Sequence, residues 1–224
     1  MPNWKEIDTV LLDMDGTLLD LHFDNQFWLH HMPKRYAEKT NITIDQAKKY
    51  LRQEYQKVVG QIQWYCLDYW QETLDLPIAQ LKHEIKHLIA LRDDVPDFLI
   101  ALRQAGKKVI LVTNAHPDSL SLKVELTNLD KYMDTLISTH QFGVTKESPQ
   151  LWDQLHKLLG YDPARTLFVD DSINLLYVAQ EAGIGHLLGV KNPDSKLPMN
   201  EIIEFEGVSD FSTYIEAIIS SIEP

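Results

Sequence analysis

The sequence of 224 residues contains a single cysteine, Cys66, and no long apolar run. One cysteine cannot form an intrachain disulfide, so we expect a protein of a reducing compartment. No run approaches the roughly 20 apolar residues of a membrane span, and the first residues lack the apolar core of a signal peptide. The composition therefore predicts a cytoplasmic protein without a membrane partner.

Basic residues are also scarce. The chain has 21 lysines and arginines against 33 aspartates and glutamates, which gives a formal net charge of −12. Such a charge disfavours long-range attraction to nucleic acid. An acidic protein can still bind a small anion, but a lysine or a cation must then supply local positive charge. We expect a small-molecule ligand, no nucleic-acid partner, and a monomer or weak homodimer.

Glycine is rare between about residues 21 and 91, where Gly60 is the only one. That interval lacks a clear strand pattern and contains four helix-like segments, at roughly 24–39, 44–58, 63–74 and 78–91. Outside it, strand-like runs at about 8–12, 109–113, 135–138, 166–169 and 186–190 alternate with amphipathic helices. Alternation of this kind predicts an α/β fold, a Rossmann-like three-layer core with a parallel sheet covered on both faces. We expect residues 1–20 and 92–224 to form this core and residues 21–91 to form an inserted α-helical cap.

Reactive polar residues follow three of the predicted strands. The run 8–12 is followed directly by Asp13-Met14-Asp15-Gly16-Thr17. The run 109–113 ends in Thr113-Asn114, and the run 166–169 is followed by Asp170-Asp171. Lys146 lies in a loop between the last two. The carboxyl ends of parallel strands meet at one edge of a sheet, where α/β proteins bind ligands. A solvated acidic turn is the alternative reading of each motif taken alone.

These four ordered motifs resemble those of the haloacid dehalogenase superfamily of phosphotransferases. The resemblance implies that Asp13 is a nucleophile that forms an aspartyl-phosphate and that Asp15 is the general acid/base. It also implies that Thr113, Asn114 and Lys146 bind the phosphoryl group.

The carboxylates in these motifs predict a metal site. Four carboxylates in one cleft would repel each other strongly without a cation, and oxygen ligands suit Mg²⁺. We assign Mg²⁺ to the side chains of Asp13 and Asp171 and to the backbone carbonyl of Asp15, with Asp170 acting through bound water. The chain has Leu175 where one common family pattern has a further acid, so the division of roles between Asp170 and Asp171 is open.

A narrower resemblance connects the chain to the superfamily's bacterial 5'-nucleotidases for GMP and IMP. It covers four stretches, Leu12–Leu21, Trp64–Trp70, Thr113–Pro117 and Gly189–Ser195. It implies a phosphomonoester hydrolase whose substrate is a purine nucleoside monophosphate. The candidate specificity residues are Trp64, Tyr65, Tyr69 and His116. Aromatic faces can stack on a purine, but these rings can equally pack between cap helices.

Other functions remain open at this point. A phosphomutase of the β-phosphoglucomutase type or a broad sugar-phosphate phosphatase would use the same acidic motifs. A dehalogenase would have no use for the acid at position 15, and a non-catalytic nucleotide-binding regulator would not need every motif. His83-Glu84-Ile85-Lys86-His87 matches the H-E-x-x-H zinc pattern, but we expect a solvated helix face there because no third ligand is evident.

Overall fold

The computed structural model describes residues 2–222, which contain one six-stranded sheet in the order β3-β2-β1-β4-β5-β6. All neighbouring strands are parallel. The strands are β1 (Thr9–Leu12), β2 (Lys108–Thr113), β3 (Thr135–Ser138), β4 (Thr166–Asp170), β5 (His186–Val190) and β6 (Glu206–Val208). The predicted α/β parallel-sheet fold is confirmed. Strand β6 was not predicted, because three residues with one glycine leave too weak a pattern.

The sheet has helices on both faces, and the side chains of each strand alternate between them. On β1, Val10 and Leu12 belong to one apolar cluster and Leu11 to the other. On β4, Leu167 and Val169 belong to the first of these clusters and Phe168 to the second. Both strands are buried from end to end. This burial explains why they appear in the sequence as continuous apolar runs rather than as alternating ones.

The helices follow the predicted pattern with several breaks. Between β1 and β2 lie α1 (His22–Gln26), α2 (Met32–Thr40), α3 (Ile44–Val58), α4 (Ile62–Tyr65), α5 (Leu67–Leu74), α6 (Ile78–Glu84) and α7 (Val95–Gln104). The remaining α-helices of residues 2–222 are α8 (Pro117–Thr127), α9 (Pro149–Leu159), α10 (Ile173–Glu181) and α11 (Ile215–Ile219). A π-helical turn, Phe27–His31, joins α1 to α2.

Two of the predicted helices divide. The segment 63–74 changes direction at Cys66, where φ is −84° and ψ is 113°, so that α4 and α5 are separate. The segment 78–91 ends as an α-helix at Glu84 and continues as a 3₁₀ turn, Lys86–Leu88. His83 and His87 are both exposed and do not share a continuous helix.

Helices α2 to α6 and the π-helical turn pack around an apolar cluster of their own, in which Trp70, Phe27 and Leu51 are almost fully buried. The chain enters and leaves this group side by side, because Leu19 pairs with Leu91 and Asp20 N donates to Ala90 O at 3.0 Å. The boundaries of core and cap, 1–20 with 92–224 and 21–91, stay a prediction. None of the helices within residues 2–222 has the length and apolar character needed to cross a membrane.

Candidate active site

The carboxyl ends of the central strands β1, β2 and β4 open into a cavity of about 400 Å³. The strand order reverses between β1 and β4, which is the usual ligand position in an open α/β sheet. Side chains from these strand ends and from helices α3, α4 and α6 line the cavity together. The predicted residues that line it are Asp13, Asp15, Trp64, Tyr65, Thr113, Asn114, His116, Lys146, Asp170 and Asp171.

Lys146 lies at the centre of the acidic group. Its ammonium donates to Asp13 Oδ1 and, at 2.7 Å, to Asp170 Oδ2, and all three side chains are almost fully buried. Burial raises the pKa of Asp13 to about 6, against the opposing attraction of Lys146. Burial alone would lower the pKa of Lys146, but the two carboxylates outweigh it and raise that pKa above its ordinary value. The lysine is therefore held as a cation between two acids.

Asp171 completes a cluster of oxygen ligands. Asp13, Asp170 and Asp171 each offer a carboxylate oxygen within 4.8 Å of the others. Burial, and then the neighbouring charges of Asp170 and Asp13, raise the pKa of Asp171 well above its usual range. Gly16 leaves room for this carboxylate, since a Cβ atom there would lie 2.7 Å from Asp171 Oδ2. An oxygen-only donor set with excess negative charge fits a hard divalent cation such as Mg²⁺.

Asp170 and Asp171 have different surroundings. Asp170 already uses both oxygens, one for Lys146 and the other to accept from the backbone N–H of Ser172 at 2.9 Å. The Asp171 carboxylate lies against Gly16 and lines the cavity. The carboxylate of Asp171 is thus better placed to bind a cation directly.

Asp15 turns away from this cluster toward a second buried lysine, which the sequence did not reveal. Lys123 donates to Asp15 Oδ1 and to Asp24 Oδ2, each at 2.6 Å. Lys82 donates to the other oxygen of Asp24 at 3.1 Å. Burial raises the pKa of Asp15 to about 6 although Lys123 opposes the shift. These four side chains form an ionic chain of two buried lysines and two partly buried carboxylates, which runs from the end of β1 to helices α1 and α6.

One sequence signal could have found Lys123. His116, Ser119 and Lys123 recur at intervals of three and four residues, and all three line the cavity. Because such intervals place side chains on one face of a helix, the polar stripe after Thr113-Asn114 marks the side of α8 that faces the site.

Asn114 binds protein groups rather than facing the cavity freely. Its Oδ1 accepts from the backbone N–H of Lys146 at 2.9 Å and from Thr139 Oγ1 at 3.0 Å. Its Nδ2 donates to Glu147 Oε2 at 3.0 Å. Thr113 Oγ1 accepts from the backbone N–H of Ala115, which leaves the hydroxyl proton available to a ligand. Asn114 therefore fixes the loop that carries Lys146.

The specificity candidates separate into two groups. Trp64, Tyr65 and His116 line the cavity, and the Tyr65 hydroxyl donates to Glu147 Oε1 at 2.8 Å. Tyr69 is not among the lining residues found within 2–222, and its ring packs edge-on against Trp70 with centroids 5.0 Å apart. The structure therefore brings three of the four candidates to the site.

Two polar side chains of α1, His22 and Asn25, contact Asp194. Asn25 Nδ2 donates to Asp194 Oδ2 at 2.8 Å, and His22 Nδ1 lies 3.3 Å from Asp194 Oδ1. Both side chains connect α1 to the loop after β5.

A family model for haloacid dehalogenase-like hydrolases matches residues 7–183. The chain belongs to this family. It is 44% identical over 216 residues to the GMP/IMP nucleotidase YrfG of Escherichia coli, a match that covers 96% of this chain and 97% of that protein. The predictions of a phosphatase of this family, and of its likeness to a GMP/IMP nucleotidase, are confirmed.

Solved structures of the family share the fold. A phosphatase from Thermococcus onnurineus superposes with a TM-score of 0.77 at 22% identity, covering 96% of this chain and 99% of that one. A family enzyme from Bacteroides thetaiotaomicron, crystallised with magnesium and inorganic phosphate, gives a TM-score of 0.61 at 19% identity, covering 83% and 95%. These likenesses support the fold assignment.

The ionic chain around Lys123 leads to a test of stability. We expect Lys123→Met to lower the free energy of unfolding by roughly 1–3 kcal/mol, because the partly buried carboxylate of Asp15 loses its partner. Adding Asp15→Asn removes that charge and should recover part of the loss, so that the two changes are not additive. Urea denaturation followed by circular dichroism measures both effects.

The matched control is Lys157→Met, at an exposed position on α9, which should change stability by no more than about 0.5 kcal/mol. An equal loss in Lys123→Met and in the double variant would contradict the assigned pairing.

Proposed function

We propose that this protein is a Mg²⁺-dependent 5'-nucleotidase that hydrolyses GMP and IMP to the nucleoside and inorganic phosphate. The observation that carries the proposal is the meeting of Asp13, Asp15 and Lys146 in one cavity that Trp64 and Tyr65 also line. The near full-length similarity to a GMP/IMP nucleotidase supports the choice of substrate.

Asp13 acts as the nucleophile in this proposal. A carboxylate oxygen of Asp13 attacks phosphorus, and the bond from phosphorus to the nucleoside 5' oxygen breaks. Asp15 gives its proton to that leaving oxygen. The resulting aspartyl-phosphate divides a very slow hydrolysis into two easier displacements.

Asp15 then acts as the base. Its carboxylate takes a proton from water as the water oxygen attacks phosphorus, the bond to Asp13 breaks, and inorganic phosphate leaves. A pKa of about 6 suits a group that must first donate and then accept a proton near neutral pH. Lys123 holds the Asp15 carboxylate in place through a 2.6 Å hydrogen bond.

Positive charge and hydrogen-bond donors stabilise the phosphoryl group. Lys146 lies beside Asp13 and offers its remaining N–H, and Thr113 offers its hydroxyl. Asp13, the backbone carbonyl of Asp15 and Asp171 would hold Mg²⁺, with Asp170 behind them. Bound there, the ion would neutralise charge on the phosphoryl oxygens.

The aromatic wall provides the substrate preference. Trp64 packs edge-on against Tyr55, with centroids 5.4 Å apart, and its backbone carbonyl accepts from Trp70 Nε1 at 2.9 Å. The indole is therefore fixed at the cavity. A fixed ring can stack on a purine with little loss of side-chain freedom.

The nucleophile assignment is tested by Asp13→Asn. We expect turnover of GMP to fall by on the order of 10⁴–10⁶, since an amide cannot replace the attacking carboxylate. The measurement is phosphate release at saturating GMP, with circular dichroism to verify folding. Asp153→Asn, an exposed acid on α9, is the matched control and should keep full activity. Normal turnover by Asp13→Asn would refute the assignment.

The metal site is tested by chelation. We expect enzyme dialysed against EDTA to lose activity and to regain it on addition of Mg²⁺. Asp171→Asn should raise the Mg²⁺ concentration that gives half-maximal activity. The rise should be at least roughly 10–100-fold, which is the cost of removing a residue that only hydrogen-bonds to a metal ligand. Asp75→Asn, whose side chain is 93% exposed, serves as control. Full activity in metal-free buffer would contradict the proposal.

The purine wall is tested by Trp64→Ala. Loss of one stacked base costs about 1–3 kcal/mol, which predicts a roughly 5- to 150-fold rise in KM for GMP. KM for p-nitrophenyl phosphate should change much less, because that substrate has no purine. Tyr69→Ala removes a ring of the same helical segment outside the cavity and should leave both values unchanged.

A screen that includes sugar phosphates completes this test. Faster hydrolysis of sugar phosphates than of GMP would replace the nucleotidase with a broad sugar-phosphate phosphatase. Formation of an isomeric sugar phosphate without free phosphate would instead identify a phosphomutase.

A further inference from the structure

A second group of potential metal ligands includes the cavity residue His116 and contains sulfur and nitrogen rather than oxygen. Cys66, His116 and His140 each offer one ligand atom within 4.8 Å of the other two. Cys66 lies between α4 and α5, His116 directly precedes α8, and His140 is in the 3₁₀ turn Thr139–Phe142 after β3. Three segments that are remote in sequence thus bring one thiol and two imidazoles together.

The His140 side chain has a buried nitrogen without a partner. Nε2 of His140 is excluded from solvent and makes no hydrogen bond. Burial, and then the neighbouring His116, lower the pKa of His140, while the backbone of Asn114 interacts with the imidazole in the opposite sense. Its neutral form therefore carries a free lone pair inside the protein, which is the form that binds a metal.

The His116 side chain has carboxylates on both sides. Nε2 lies 3.5 Å from Asp68 Oδ2, and Nδ1 lies 3.9 Å from Asp118 Oδ2. The imidazole rings of His116 and His140 meet edge-on with centroids 5.1 Å apart. Nδ1 also accepts from the backbone N–H of Asp118 at 3.3 Å, which places the proton of the neutral ring on Nε2. A metal on Nε2 would move that proton to Nδ1, where Asp118 Oδ2 would replace the backbone N–H as its partner, and would have Asp68 as a possible fourth ligand. Metal-binding histidines commonly have such a carboxylate behind them.

We propose that Cys66, His116 and His140 form a zinc site, distinct from the acidic cluster that suits Mg²⁺. One thiolate and two imidazoles form a ligand set that zinc prefers, whereas magnesium requires oxygen. Metal–nitrogen bonds of about 2.0–2.1 Å and a metal–sulfur bond of about 2.3 Å imply ligand atoms roughly 3.3–3.8 Å apart. Since the ligand atoms lie within 4.8 Å of one another, the three segments would approach by at most about 1.5 Å on binding. Binding releases the thiol proton to solvent and moves the His116 proton from Nε2 to Nδ1, which gives up the hydrogen bond that Nδ1 accepts from Asp118 N.

This site does not depend on the proposed nucleotidase activity. Its consequence for the structure is a cross-link, because Cys66 belongs to the helical segment 62–74 while His116 and His140 follow strands of the sheet. A zinc ion here would hold that segment against the sheet edge beside the cavity.

Cobalt substitution tests the proposal without measuring catalysis. The whole protein is stripped of metal, kept reduced with a phosphine, and titrated with Co²⁺ in excess Mg²⁺. We expect an intense sulfur-to-cobalt charge-transfer band in the near ultraviolet that saturates at one equivalent and disappears when Zn²⁺ is added. Co²⁺ bound by the acidic cluster would give no such band, because that cluster has no sulfur.

Variants identify the ligands. Cys66→Ser should abolish the charge-transfer band. Cys66→Ser and His140→Gln should each weaken Zn²⁺ binding, measured by calorimetry. The loss should be at least roughly 10–100-fold, which is the cost of removing a residue that only hydrogen-bonds to a metal ligand. The matched control is His83→Gln with His87→Gln, which removes the exposed histidines of the H-E-x-x-H segment and should leave band and affinity unchanged. Absence of the band in the wild-type protein would overturn the proposal. So would zinc binding that persists in Cys66→Ser but is lost in the His83→Gln, His87→Gln control.

Discussion

The ammonium group of Lys146 between Asp13 and Asp170 is the interaction on which the acidic edge of the sheet depends. Both carboxylates are withdrawn from water at the ends of strands β1 and β4. Two buried acids at this distance would repel each other and take up protons. The positive charge of Lys146 offsets the repulsion between the two carboxylates and so stabilises their close approach. Its own position is set by Asn114, which accepts from the Lys146 backbone and donates to Glu147.

A second lysine gives Asp15 a different environment from Asp13, although the two acids are only two residues apart. Asp13 shares Lys146 with Asp170, whereas Asp15 shares Lys123 with Asp24. The turn at Gly16, with φ at +87°, follows directly after Asp15 and leaves room for Asp171. One short motif thereby contributes a carboxylate to each of two ionic clusters. This separation is the physical basis for assigning the two acids different chemical roles.

The sequence predicted the features that are encoded locally. Buried strands β1, β2 and β4 appear as apolar runs, and their polar ends follow directly. The order of the motifs predicts Lys146, whereas Lys123 belongs to none of the four motifs, and its partners Asp15 and Asp24 are 108 and 99 residues away. The predicted helix 63–74 would place Tyr65 and Tyr69, four residues apart, on one face. The chain turns at Cys66 instead, so Tyr65 reaches the cavity while Tyr69 packs against Trp70.

Two polar connections link helices of the segment 21–91 to the two lysines. Asp24 on α1 and Lys82 on α6 extend the cluster of Lys123, and Tyr65 on α4 reaches Glu147, which binds Asn114 beside Lys146. If these helices moved away, Lys123 would lose Asp24 and the loop at Lys146 would lose Tyr65. The charges around Asp15 and the position of Lys146 therefore depend on the position of the helices. The cavity is lined by residues of the segment 21–91 and by residues of the sheet edge. All of its ion pairs and hydrogen bonds are therefore formed only when these two parts of the chain are in contact.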